Sequence, residues 1–160
     1  MAAGGASLGA KVALVDTETY NPATGALEAS KSIALTSSNT QLPRAFHTAT
    51  LLQSGQVLLW GGETYSGINN IVSPVAIAIR YDSTADSFGP IVSRLNPPSI
   101  PRSRHQAAID ANGKVLIFGG ITRPASTVVP ADKVEWYDDA IREYRVVDGV
   151  SAPRTEASVW

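Results

Sequence analysis

The only imidazoles in these 160 residues are His47 and His105, and there is no cysteine. Histidine is the commonest general base and a frequent metal ligand, so this pair is the first candidate for chemistry. Both occupy one place in a recurring phrase, Pro43-Arg44-Ala45-Phe46-His47 and Pro101-Arg102-Ser103-Arg104-His105. Equivalent positions in neighbouring units are held apart by the units themselves. Two structural histidines bonded to backbone are therefore expected, and no metal centre. Without cysteine there is no thiol nucleophile, disulfide, Cys-zinc site or iron–sulfur cluster. Serines and threonines are plentiful, but no nucleophile-elbow motif frames one. Carboxylates pair locally, as Asp16 with Glu18 and Asp138 with Asp139. Strand neighbours point to opposite faces, so Asp138 and Asp139 do not converge. No catalytic residue, cofactor or metal is expected.

Composition narrows the classes further. Charged residues are 17%, below the roughly 25% of ordinary soluble domains, and the formal net charge is -1. A near-neutral chain without a basic run is a poor candidate for nucleic-acid binding through phosphates. The 44% hydrophobic share is too high for a disordered chain. No apolar run reaches the roughly 18 residues of a membrane span. Met1 to Gly5 has neither the basic start nor the apolar stretch of a signal peptide.

The elements that must position these residues come from a repeat. Gly-Gly pairs stand at Gly4-Gly5, Gly61-Gly62 and Gly119-Gly120. Tyr20-Asn21, Tyr81-Asp82 and Tyr137-Asp138 follow in the same order, and then Pro43-Arg44, Pro101-Arg102 and Pro153-Arg154. The Gly-Gly spacings are 57 and 58 residues, and the Pro-Arg spacings are 58 and 52. After each of the two best Pro-Arg phrases the sequence reads as a β-hairpin. Ser54-Gly55 and Asn112-Gly113 sit at the turns, and Asn-Gly suits a type I′ turn. The second strands, Val57 to Trp60 and Val115 to Phe118, are continuous apolar runs, which predicts burial on both faces. A variable loop, a third strand ending at the tyrosine, a short turn and a fourth strand complete each unit. Ala29 to Leu42 is irregular, and no segment has a helical period.

Four antiparallel strands per period of this length make a propeller blade. Pro-Arg-x-x-His before a hairpin, Gly-Gly after its second strand and Tyr-Asp before a short turn resemble the kelch repeat. The stretches Pro43–Gly62 and Pro101–Gly120 are similar to those of bacterial surface proteins and of the galactose oxidase propeller. The third unit departs from the pattern, with Thr155-Glu156-Ala157 in place of x-x-His. The fold expected is all-β: a kelch-type β-propeller segment of four-stranded antiparallel blades, roughly three in number. Its units run approximately 4–60, 61–118 and 119–160. With strands named A to D from the Pro-Arg phrase, the chain reads C, D, A, B, C, D, A, B, C, D, A. It leaves no room for a strand before Gly4 and stops inside a strand A. Three blades do not close a ring, so further blades are expected in the same chain, a partner or a second copy.

Repetition also sorts roles. Arg44, Arg102 and Arg154 recur, as scaffold groups for carbonyls or for the repeated acids Asp82 and Asp138. Tyr81, Tyr137 and the glycines Gly61, Gly62, Gly119 and Gly120 belong to the same scaffold. The glycines make no phosphate loop, since no helix follows them. Residues that vary at one rim are the binding candidates: Phe46, Arg104 and Glu156 before strand A, with Glu63, Thr64, Tyr65, Ile121, Thr122 and Arg123 after strand B. Arg and aromatic side chains are common interface anchors. The segment Thr64–Pro74 is the longest and most apolar of the loops. The function expected is a non-catalytic protein- or glycan-interaction scaffold in a larger chain or a surface or secreted assembly. The resemblance also implies an alternative, the propeller domain of a carbohydrate-active enzyme of oxidase or sugar-epimerase type. The copper-radical chemistry of galactose oxidase needs a Cys-linked tyrosine, so it cannot reside here.

Overall fold

The computed structural model describes residues 2–7, 12–35, 40–66, 71–91, 100–123 and 127–147. Among them there is no helix, and so none long and apolar enough to cross a membrane. Counted by sheet and not from the Gly-Gly pairs, the first unit contains β1 (Ala2–Ala3), β2 (Ala6–Ser7), β3 (Val12–Ala13), β4 (Thr17–Asn21) and β5 (Ala26–Ala29). A small hairpin, β6 (Ala34–Leu35) with β7 (Thr40–Gln41), follows. The second unit has β8 (Thr48–Leu51), β9 (Val57–Trp60), β10 (Glu63–Ser66), β11 (Ile71–Pro74), β12 (Ile79–Asp82) and β13 (Ser87–Pro90). The third has β14 (Gln106–Ile109), β15 (Lys114–Phe118), β16 (Ile121–Thr122), β17 (Val129–Pro130), β18 (Val134–Asp138) and β19 (Glu143–Val147).

Two four-stranded antiparallel sheets result, in the orders β8-β9-β12-β13 and β14-β15-β18-β19. These are strands A to D in spatial sequence, as a meander dictates. A three-stranded sheet, β1-β4-β5, precedes them. The chain is an incomplete β-propeller-like segment. Its first sheet differs from expectation, because Ala2 and Ala3 pair with Glu18 and Thr17. Two alanines suffice for that short remnant of a strand B, too few to register as an apolar run.

Alternation along β9 explains how the sheets stack. Leu58 and Trp60 point to one face and join Val115, Ile117, Tyr137 and Tyr144 of the third sheet. Leu59 points to the other and joins Ile33, Ile79, Tyr81 and Phe88. A strand between two sheets has no solvent face, so its sequence is apolar throughout. Each such side chain contributes about 1.5–3 kcal/mol on burial. Trp60 lies 5.6 Å from Tyr144 and 6.3 Å from Tyr137 between ring centroids.

The segments after each Gly-Gly pair are hairpins, not irregular loops. β2–β3, β10–β11 and β16–β17 are closed alike, by Leu14, Val75 and Ala131 donating to the carbonyls of Gly5, Gly62 and Gly120. They escape a propensity reading because they are inserted between strands B and C, and in the first and third units the pairing is only two residues long. The A–B turns also differ from type I′. Only Gly55 and Gly113 take positive φ, each 83°, and neither Ser54 nor Asn112 does. Gly113 donates to Asp110 and Asp110 donates to Lys114, which is a three-residue loop with a glycine bulge. The carboxylate of Asp110 accepts from the backbone of Asn112 and Lys114, favouring this loop over the tighter turn.

Candidate functional site

The Pro-Arg-x-x-His phrase of one unit clasps the Gly-Gly pair of the unit before it. Gly5 donates to the Arg44 carbonyl at 2.9 Å, and Gly62 to the Arg102 carbonyl at 2.8 Å. Gly61 has φ of 59°, and a Cβ there would stand 2.5 Å from that Arg102 oxygen and 2.9 Å from His105. The arginines work in parallel. Arg44 donates to the carbonyls of Gly61 and Ile77, and Arg102 to those of Gly119 and Lys133. Neither meets Asp82 or Asp138. Those carboxylates accept from their own C–D turns, Asp82 from Thr84 and Ala85 and Asp138 from Ala140. The acid beside Arg102 is Glu135, 2.7 Å away and equally buried, with the N–H off the line to the oxygen. Glu135 also accepts from Tyr144 and the Ile100 backbone. Arg44 has Ile79 where Arg102 has Glu135, and burial lowers its pKa to about 10.

The two histidines sit at the boundaries between units. His105 Nε2 lies 3.0 Å from the Thr48 hydroxyl of the preceding unit, and the ring also interacts with the Trp60 backbone. The Nδ1 atoms of both rings are buried without a hydrogen bond. Burial, and then the charge of Arg44, lowers the His47 pKa to about 4; burial, then Arg102, lowers that of His105 to about 3. Both rings are neutral near pH 7. Among the described residues no cluster of three metal-binding side chains occurs.

Tyr137 and Tyr81 direct their hydroxyls at turn carboxylates. Tyr137 donates to Asp139, which also holds Arg80 and Ser54 of the second unit. Tyr81 donates to Asp86, which takes Ser30 of the first. These bonds between units are invisible in sequence, because Asp86 and Asp139 stand at different places in their turns.

Four of the rim residues come together at the boundary between the second and third units. The Arg104 guanidinium stacks on the Phe46 ring, 4.1 Å from its centroid. Its Nη2 donates to Glu63 Oε1 at 3.1 Å. Tyr65 donates to the same oxygen at 2.6 Å, and Ser103 donates to Glu63 Oε2 at 2.7 Å. Burial pushes the Glu63 pKa up, but the bonds from Tyr65, Ser103 and Arg104 together bring it below the ordinary carboxylate value. Glu63 is wholly buried, whereas Phe46 is 42% exposed and the Arg104 side chain 45%. Glu63 thus supports the rim from below and does not itself face solvent.

The backbone holds this pair in place. Phe46 and Arg104 are equivalent positions, with φ of 54° and 58°. Left-handed backbone costs a non-glycine residue on the order of 1 kcal/mol. Three backbone bonds offset it: Arg104 donates to the Phe46 carbonyl, and Ala45 and Glu63 exchange two more. Thr64 alternates to the other side of β10, opposite Ser73. In the next hairpin Ile121 bridges to Ser103 and is buried, and Thr122 pairs with Val129 with its side chain on the other side of the strand. Arg123 lies just beyond, its Nε enclosed without a hydrogen bond. Arg154 and Glu156 fall outside the described residues. Of the segment Thr64–Pro74, the described parts form β10 and β11, and β10 lies against β3.

No family model matches this chain, and no curated protein does. Among solved structures it is similar to YjhT, with a TM-score of 0.60 and 10% identity. That match covers 92% of this chain and 48% of the other, so the chain spans about half the length of YjhT. At this identity the likeness speaks for the fold alone, and the all-β antiparallel sheets fit a β-propeller-like segment.

Proposed function

We propose that this chain is a run of kelch-type blades serving as a non-catalytic interaction scaffold, with a protein partner docking on the rim at Phe46 and Arg104. One observation carries the proposal. An exposed arginine is stacked on an exposed phenylalanine and tied to a buried carboxylate, so both anchors are pre-oriented. Arginine and aromatic side chains lead among interface hot spots, and pre-orientation lowers the entropy lost on docking. Tyr65 widens the patch.

The test uses the full chain immobilised, with and without Arg104→Ala and Phe46→Ala, against proteins of its native source. Either substitution is expected to weaken a captured partner at least about tenfold, or about 1.4 kcal/mol, with the melting temperature little changed. Undiminished capture by both variants would overturn the proposal, and so would the failure of the wild-type chain to retain any protein.

A further inference from the structure

We propose that a cleft on the second sheet, remote in role from the rim, binds a neutral saccharide. The cleft measures about 450 Å³, within the usual range for small-ligand sites. Gln56, Arg80, Asp82, Ser87, Gly89 and Pro90 line it. Arg80, Asp82, Ser87 and Gly89 share one face of strands β12 and β13, since Arg80 stands opposite Gly89 and Asp82 opposite Ser87. That face is turned toward the third sheet, to which Arg80 is tied through Asp139 at 3.0 Å.

Gly89 is the first clue. Every other glycine among the described residues takes a positive φ. Gly89 does not, and a Cβ built on it would meet nothing within 4 Å. Neither its backbone nor its protein neighbours ask for glycine in the middle of β13. A strand glycine free of both demands marks a place where another molecule can approach the backbone closely.

The polar groups name the ligand class. Gln56 Nε2 donates to Asp82 Oδ2 at 3.0 Å, which orients the amide and leaves Gln56 Oε1 as an acceptor. Two turn N–H groups, those of Thr84 and Ala85, hold the other Asp82 oxygen. Arg80 spends one nitrogen on Asp139 and keeps further N–H donors at the cleft. Fixed planar donors and acceptors side by side match hydroxyl groups, which both donate and accept. Arg80 is balanced by Asp82 and Asp139, so no surplus positive charge remains to draw an anion. The Pro90 ring, exposed at the cleft edge, offers an apolar wall for the C–H face of a sugar.

The test is an amide NMR titration of the full chain with glucose, galactose, maltose and lactose in turn. At least one sugar should shift the Gly89 and Ser87 amides and saturate at millimolar concentration. Gly89→Leu should abolish the shifts by filling the cleft, with the melting temperature little changed. Gln56→Ala should weaken binding about tenfold and serves if the leucine variant fails to fold. Arg104→Ala should leave the titration untouched, which separates this cleft from the rim. The proposal fails if no neutral sugar shifts these amides, if the shifts persist in a folded Gly89→Leu variant, or if glucuronate binds more tightly than every neutral sugar.

Discussion

Glycine marks two different physical demands in this chain, and substitution separates them. Gly61 needs its hydrogen twice over. Its φ is 59°, and a Cβ would be forced against the backbone oxygen of Arg102, which the clasp between units holds in place. We expect Gly61→Ala to cost on the order of 2–4 kcal/mol, combining left-handed strain with a clash that cannot relax. Gly89→Ala, with open space and ordinary φ, should change stability by less than about 1 kcal/mol, and in the stabilising direction. Urea unfolding of the two variants checks this, and equal midpoints would contradict it. Gly61 was recognisable as special because its pair recurs in every unit. Gly89 was not, since nothing in a sequence tells a glycine beside a cleft from one in a loop.

The Pro-Arg-x-x-His segment is the element that joins one unit to the next, and its histidines make the joint sensitive to acid. His47 has a folded pKa of about 4 and His105 of about 3, against about 6.5 for a solvated imidazole. Above about pH 6.5 both states are neutral, and the full stability is present. As pH falls below that value the unfolded chain takes up protons that the folded joints exclude. Stability should then drop by up to about 1.4 kcal/mol per pH unit for each histidine. The loss continues to about pH 4 for His47 and about pH 3 for His105. Between pH 6.5 and 5 the ordinary carboxylates stay largely ionised, so urea midpoints across that window isolate the effect. A flat wild-type profile there would refute it, and a His47→Gln/His105→Gln double variant should flatten it. The repeat position of these residues motivated a structural reading. The hydroxyl partner of His105 did not show, because Thr48 lies 57 residues away.

The whole segment behaves as stacked sheets, each supported by its neighbours through opposite faces of one central strand. Trp60 belongs to the core shared by the second and third sheets, whereas Leu59 belongs to that shared by the first and second. Trp60→Ala should therefore cost about 3–5 kcal/mol. Energetics that pass between nearest neighbours localise such damage. Hydrogen exchange should accelerate in β9, β15 and β18 more than in β4 and β5, and uniform acceleration would count against separable joints. Sequence alone sufficed for the four strands of the second and third sheets and for their antiparallel meander. Those depend on local turn residues and on apolar alternation, which each unit writes out for itself. It did not reveal the hairpins after the Gly-Gly pairs, the partners of Arg102 and Asp139, or the stacking of Arg104 on Phe46 over Glu63. Arg104 and Phe46 stand 58 residues apart at equivalent positions, and nothing local says that equivalent residues touch. Their meeting depends on how closely one sheet packs on the next, and that distance is set by the buried side chains between them.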